Sequence, residues 1–233
     1  MAEVNRVAIV TGAGSGIGRE VSLQLAGVGW RVALVGRTLG KLEAVAREID
    51  SGERTLCIAA DVGEPAAAGR IVAAATQRFG RVDALVNNAG HAPMKPFHQF
   101  SDSEIQGVFE VNVLGAIRLT REAWRNLADA KGRVVNVSSY STIDPFAGLG
   151  VYSAAKAGLN LFARAIVNEG RGVLGFTVAP GAVETEMLRS IVPSSALPTN
   201  KTLAPADVAR VIVACAIGQR DQDAGSVIAM PSP

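Results

Sequence analysis

Seven short runs of aliphatic and β-branched residues punctuate this chain: VAIV (7–10), VALV (32–35), LCIAA (56–60), ALV (84–86), VVNV (134–137), FTV (176–178) and SVIA (226–229). Between them lie longer stretches with helical patterning, near 16–29, 39–50, 64–79, 102–129, 151–170 and 205–218, where Pro65 and Pro205 suit first-turn positions. A strand that is apolar throughout must be covered on both faces, and right-handed helical crossovers between parallel strands supply that cover. The alternation therefore predicts an α/β fold, a doubly wound parallel sheet of about seven strands with helices on both faces.

At 233 residues, with 48% hydrophobic content and 25 glycines, the chain suits one globular domain spanning residues 1–233. Its 23 basic residues against 21 acidic ones are scattered, which argues against nucleic acid as a partner. Cys57 and Cys215 sit in apolar contexts and point to neither a disulfide framework nor a metal site, so a reducing cytoplasm is expected. The first run meets Thr-Gly rather than a cleavage site, so no signal peptide is expected. No apolar run nears the roughly 18 residues that span a bilayer, and no membrane association is expected. The Ser/Pro-rich piece between Thr185 and Ala204 reads as a mobile lid or loop.

The first strand leads into TGAGSGIGRE, with Gly12, Gly16 and Gly18 opening a helix. Glycines there permit a tight turn and let backbone N–H groups and the helix N-terminus approach a pyrophosphate, although the spacing departs from G-x-G-x-x-G. A nucleotide site of this kind reads its ribose at the tip of the second strand. An acid there suits the 2′-hydroxyl of NAD, a cation the 2′-phosphate of NADP. The strand ends Val35-Gly36-Arg37-Thr38. With no acid at the tip, Arg37 favours NADP and leaves NAD as the alternative, since an arginine there also serves as a solvated surface charge.

In VYSAAKAGL, Tyr152 and Lys156 stand four residues apart, on one face of a helix. Two accounts compete: an ordinary amphipathic helix, or an ammonium set beside a phenol to lower its ordinary pKa near 10. Together TGAGSGIG, NNAG (87–90), NVSS (136–139) and YSAAK (152–156) resemble, over nearly the whole chain and in the same order, the short-chain dehydrogenase/reductase family, including 3-oxoacyl-carrier-protein reductases.

That resemblance implies a Rossmann-type fold and an NADP(H)-dependent oxidoreductase that interconverts a carbonyl and a secondary alcohol. It assigns Tyr152 as proton donor and acceptor, Lys156 as its electrostatic partner and ribose ligand, Ser139 as hydrogen-bond donor to the carbonyl oxygen, and Asn112 as support for a water-linked proton path. Ser138 and Ser141 are rivals to Ser139, which is preferred because it stands thirteen residues before Tyr152. The cofactor contacts it implies are Gly12, Ser15, Gly16, Ile17 and Gly18 at the turn; Asp61 and Val62 at adenine; Asn88, Ala89 and Gly90 beside the adenine ribose; and Val183 and Thr185 at the carboxamide, together with Tyr152 and Lys156. His91, directly after NNAG, reads as a surface-loop histidine in preference to one facing the substrate, and His98 is less informative.

The resemblance thins in the short segment before Pro205 and in GSVIAMPSP, which lacks the family's aspartate-glycine-glycine turn. A homodimer through the two long helices (102–129 and 151–170) is therefore preferred to a homotetramer. Substrate is expected against 91–97, 140–146 and 187–193, with Lys95 a candidate contact. Arg125, Lys131 and Arg171 form a possible docking surface for a carrier protein. The competing function is a non-catalytic NAD(P)-binding sensor or scaffold on the same fold; the proton-handling residues argue against it, and equally against a methyltransferase.

Overall fold

The computed structural model describes residues 6–49 and 52–233; Asp50, the expected end of the second helix, lies outside the described residues. The first half comprises β1 (Val7–Thr11), α1 (Gly16–Gly27), β2 (Arg31–Gly36), α2 (Leu39–Ile49), β3 (Thr55–Ala59), α3 (Ala67–Phe79) and β4 (Ala84–Asn87). It continues with α4 (Asp102–Phe109), α5 (Gly115–Ala130), β5 (Arg133–Val137), α6 (Gly150–Glu169), β6 (Leu174–Pro180), α7 (Glu186–Ile191), α8 (Pro205–Ala216) and β7 (Val227–Met230). All seven strands pair in parallel in the order β3-β2-β1-β4-β5-β6-β7.

Successive strand residues face opposite sides of the sheet, and the core divides accordingly. Ala8, Val10, Val32 and Leu34 pack with Val21 and Leu25 of α1, Leu42 of α2 and Ile212 of α8. Val7, Ile9, Ala33 and Val35 face the other way, onto Ile71 of α3, Leu119 and Leu127 of α5 and Ile166 of α6. The winding reverses between β1 and β4, so their C-terminal ends flank a crevice where ligands bind in sheets of this kind.

Three expectations need correction. The segment 102–129 is not one helix: α4 and α5 are joined by a π-helical turn, Glu110–Leu114. A Cβ on Gly115, just past that turn, would lie 2.6 Å from the Val62 carbonyl oxygen, so glycine lets the backbone pass. Pro205 does open α8, whereas Pro65 stands two residues ahead of α3. The Ser/Pro-rich segment contains α7 and is tied down at both ends. The Arg189 guanidinium donates to Glu184 (2.6 Å) and to the Leu197 carbonyl (2.8 Å), and Leu203 N–H donates to Ala182 (2.8 Å). Among the described residues no helix is long and apolar enough to cross a membrane.

Candidate active site

The β1–α1 turn lies at the crevice. Gly12 and Gly16 have φ of +66° and +52°, and a Cβ on Gly18 would stand 2.2 Å from the Gly12 carbonyl oxygen. Side chains would strain the first two positions and clash at the third. Ser15 caps α1 with extended backbone and no side-chain cap bond, and Ile17 packs against the core. The turn is braced from β4. Asn88 Nδ2 donates to the Thr11 carbonyl (2.9 Å), while Thr11 Oγ1 accepts from the N–H groups of Asn88 and Ala89 (both 3.0 Å). Asn88 therefore shapes the turn, a structural use of its side chain that the sequence reading did not anticipate.

Arg37 follows the last residue of β2 and is exposed, with no side-chain hydrogen bond or ion pair among the described residues. Asp61 lies beside it beyond β3, where Ala60 N–H donates to the Gly36 carbonyl (3.0 Å); its Oδ1 accepts from Gly63 N–H (2.9 Å). Val62 points into the core. On the far side of the turn, Thr185 caps α7 through its Oγ1 and presents its methyl to Gly16, at 3.0 Å from a built Cβ, while Val183 is buried in a bridge with Leu203. An ion pair, Lys41 to Glu186 (2.7 Å), links the start of α2 to α7.

Ser139, Tyr152 and Lys156 meet at the C-terminal end of β5. Ser139 Oγ accepts from Ser141 N–H (3.2 Å), and Lys156, 2% exposed, donates to the Val137 carbonyl (2.7 Å) with its ammonium 5.9 Å from the centre of the Tyr152 ring. Ser138 instead donates to the Lys156 carbonyl (3.2 Å). Ser141 is buried with its Oγ unpartnered, and of the three serines Ser139 is the one that counters the upward shift of the Tyr152 phenol. A Cβ on Gly90 would stand 3.1 Å from Asn112 Oδ1 and 3.6 Å from Lys156 Nζ, so Gly90 keeps the space before the ammonium open.

Asn112 sits in the π-helical turn, 1% exposed, with its amide fully engaged: Nδ2 donates to the carbonyls of His91 (2.7 Å) and Val108 (2.8 Å), and Oδ1 accepts from His91 N–H (3.2 Å). Its side chain braces the loop after β4.

The electrostatics run against the simplest expectation. Burial pushes the Tyr152 phenol up to about 12, with the Ser139 hydroxyl pulling the other way, and burial lowers Lys156 to about 7. Withdrawal from water penalises the charged form of each group. At neutral pH the phenol therefore keeps its proton, and burial weakens the hold of the amine on its own.

Lys95 is bound to both carboxylate oxygens of Glu104 (2.6 and 2.7 Å). His91 and His98 are exposed. Arg125 lies late in α5, and Lys131 and Arg171 precede β5 and β6, toward the N-terminal ends of strands whose C-terminal ends face Ser139. The five residues of β5, about 16 Å at about 3.3 Å per residue, separate Lys131 from Ser139.

A family model described as short chain dehydrogenase matches residues 6–196. The chain belongs to this family. Among short-chain dehydrogenases it is 34% identical over 233 residues to the (2S)-[(R)-hydroxy(phenyl)methyl]succinyl-CoA dehydrogenase subunit BbsD of Thauera aromatica, covering 96% of this chain and 92% of that one. It is 30% identical to the acetoacetyl-CoA reductase of Shinella zoogloeoides, covering 97% and 96%. A solved relative, 3-ketoacyl-(acyl-carrier-protein) reductase from Brucella melitensis complexed with NADH, superposes with TM-score 0.90 at 28% identity, covering 97% of this chain and 96% of that one. The fold is thus that of the short-chain dehydrogenases, a Rossmann-like parallel sheet, and the chain is an oxidoreductase of the class acting on hydroxyl and carbonyl groups.

Proposed function

We propose that this oxidoreductase uses NADP(H) to interconvert a carbonyl and a secondary alcohol, with Tyr152 exchanging the proton. The observation that carries the reading is the convergence of Ser139, Tyr152 and Lys156 beside a glycine turn too tight for side chains. The residues fit a dinucleotide: the turn leaves backbone N–H groups free at the start of α1, and Lys156 spends one of its donors on Val137 and has others toward the space at Gly90. When bound there, a reduced nicotinamide supplies hydride to the carbonyl carbon. Ser139 donates a hydrogen bond to the carbonyl oxygen, and Tyr152 delivers the proton that completes the alcohol. A phenol that keeps its proton at neutral pH suits the reductive direction.

The Brucella relative holds NADH. Here the unpartnered Arg37 and the absence of an acid at that tip favour the 2′-phosphate of NADP. Exposed Leu161 on α6 and Ile117 on α5 support a homodimer through those helices. A sensor or scaffold would have no use for a buried amine beside a phenol.

With a ketone that is turned over, Tyr152→Phe is expected to lower kcat by at least about 100-fold with little change in coenzyme affinity, measured by the absorbance of reduced coenzyme. Equal rates in the two proteins would remove Tyr152 as proton donor. By fluorescence titration, Arg37→Ala is expected to weaken NADPH about tenfold and NADH little; equal losses would remove the phosphate contact.

A further inference from the structure

Half of the ten exposed large hydrophobic side chains among the described residues fall in three short segments at the site: Met94 and Phe97 in 91–97, Ile143 and Phe146 in 140–146, and Met187 in 187–193. Phe97 is 74% exposed and Phe146 56%, well beyond what a packed core leaves. The segments adjoin one another and the catalytic residues. Lys95 N–H donates to the Gly148 carbonyl (3.1 Å), and Met94 lies 3.0 Å from a Cβ built on Gly148, which joins the first two loops. The Met187 methyl stands 3.6 Å from a Cβ built on Gly90, the same distance as Lys156 Nζ, so this apolar rim reaches the ammonium.

The lysine and the arginine of these segments are already paired. Lys95 is held by both oxygens of Glu104, its ammonium 4.8 Å above the Phe100 ring, and Arg189 is held by Glu184 and the Leu197 carbonyl. Asp144 is left exposed, with no ion pair among the described residues. An anionic substrate would meet no available cation on these loops and one carboxylate of its own sign, whereas an apolar one would cover side chains that now face water.

We propose that the substrate is a neutral, largely apolar ketone or its secondary alcohol, and that carboxylated, phosphorylated and coenzyme A-linked carbonyls are discriminated against. This rests on the carbonyl–alcohol reading above, and it departs from the CoA-linked names of the two curated relatives.

The test separates the two readings by using Tyr152→Phe, in which binding survives and chemistry does not. Calorimetric titration of this full-length variant, with NADP present, compares 4-phenyl-2-butanone, its para-carboxylate analogue and acetoacetyl-CoA. The neutral ketone is expected to bind at least tenfold more tightly than either anion. Adding Phe97→Ser and Phe146→Ser is expected to weaken it about tenfold while leaving thermal stability unchanged, since both rings face solvent. Binding of the neutral and carboxylated ketones within twofold of each other, or tighter binding of acetoacetyl-CoA, would overturn the proposal. So would a change of sedimentation from dimer to monomer in the serine variants with ketone binding intact, because the rim would then be covered by a second copy. Equal turnover by wild type and Tyr152→Phe would defeat the proton-donor reading alone.

Discussion

Replacing Lys156 by methionine tests the central electrostatic feature without any ligand. The side chain is 2% exposed and its pKa falls from 10.5 to about 7 through loss of hydration. Between those two values the unfolded chain binds the proton more fully than the folded one, so wild-type stability rises with pH across this window and is lowest below pH 7. At about 1.36 kcal/mol per pKa unit, the amine costs about 4 kcal/mol at pH 7 and about 1.5 at pH 9.5. Methionine has a similar length and no charge. It leaves the Val137 carbonyl unpartnered, a penalty of about 1–3 kcal/mol that does not depend on pH. Urea denaturation of both proteins at the two pH values should show the difference in unfolding free energy moving by about 3 kcal/mol in favour of wild type at the higher pH. A difference that stays constant with pH would refute the reasoning, because it would mean that the amine titrates near 10.5 in the folded protein as well.

Gly18→Ala is expected to abolish coenzyme binding by fluorescence titration and to lower the melting temperature, because its Cβ would sit 2.2 Å from the Gly12 carbonyl oxygen. Unchanged affinity would show that the turn yields. Leu161→Asp, at a side chain 68% exposed on α6, should convert a dimer into monomers in sedimentation with the melt of each chain little changed; a persisting dimer would place the interface elsewhere.

The sheet was legible because burial on both faces leaves an unambiguous mark, a run such as VALV with no polar residue in it. The glycine turn was legible for a related reason: Gly12 and Gly16 adopt a backbone that side chains disfavour. What stayed hidden depends on contacts distant in sequence. The π-helical turn places Asn112 where it bonds back to His91, twenty-one positions away, a contact that local patterning does not reveal. The Arg189–Glu184 pair that orders the segment after β6 is visible only once α7 has formed, although an arginine five residues after a glutamate was a signal to weigh. The pKa values of Tyr152 and Lys156 could not be read from their spacing, since spacing reports proximity and says nothing of water. Likewise the rim became recognisable only when Phe97 and Phe146 proved to be uncovered.

The bonds from Asn88 and Thr11 stitch the β1–α1 turn to the end of β4 with protein atoms alone. An incoming dinucleotide therefore finds its cradle already shaped, and little of its association energy goes into organising that loop. Because the same strand end carries Gly90 and the His91 backbone that Asn112 grips, the glycine turn and the surroundings of Lys156 are braced from one strand end. A disturbance at Thr11 should then be felt at Lys156, through a few ångströms of backbone rather than through the coenzyme.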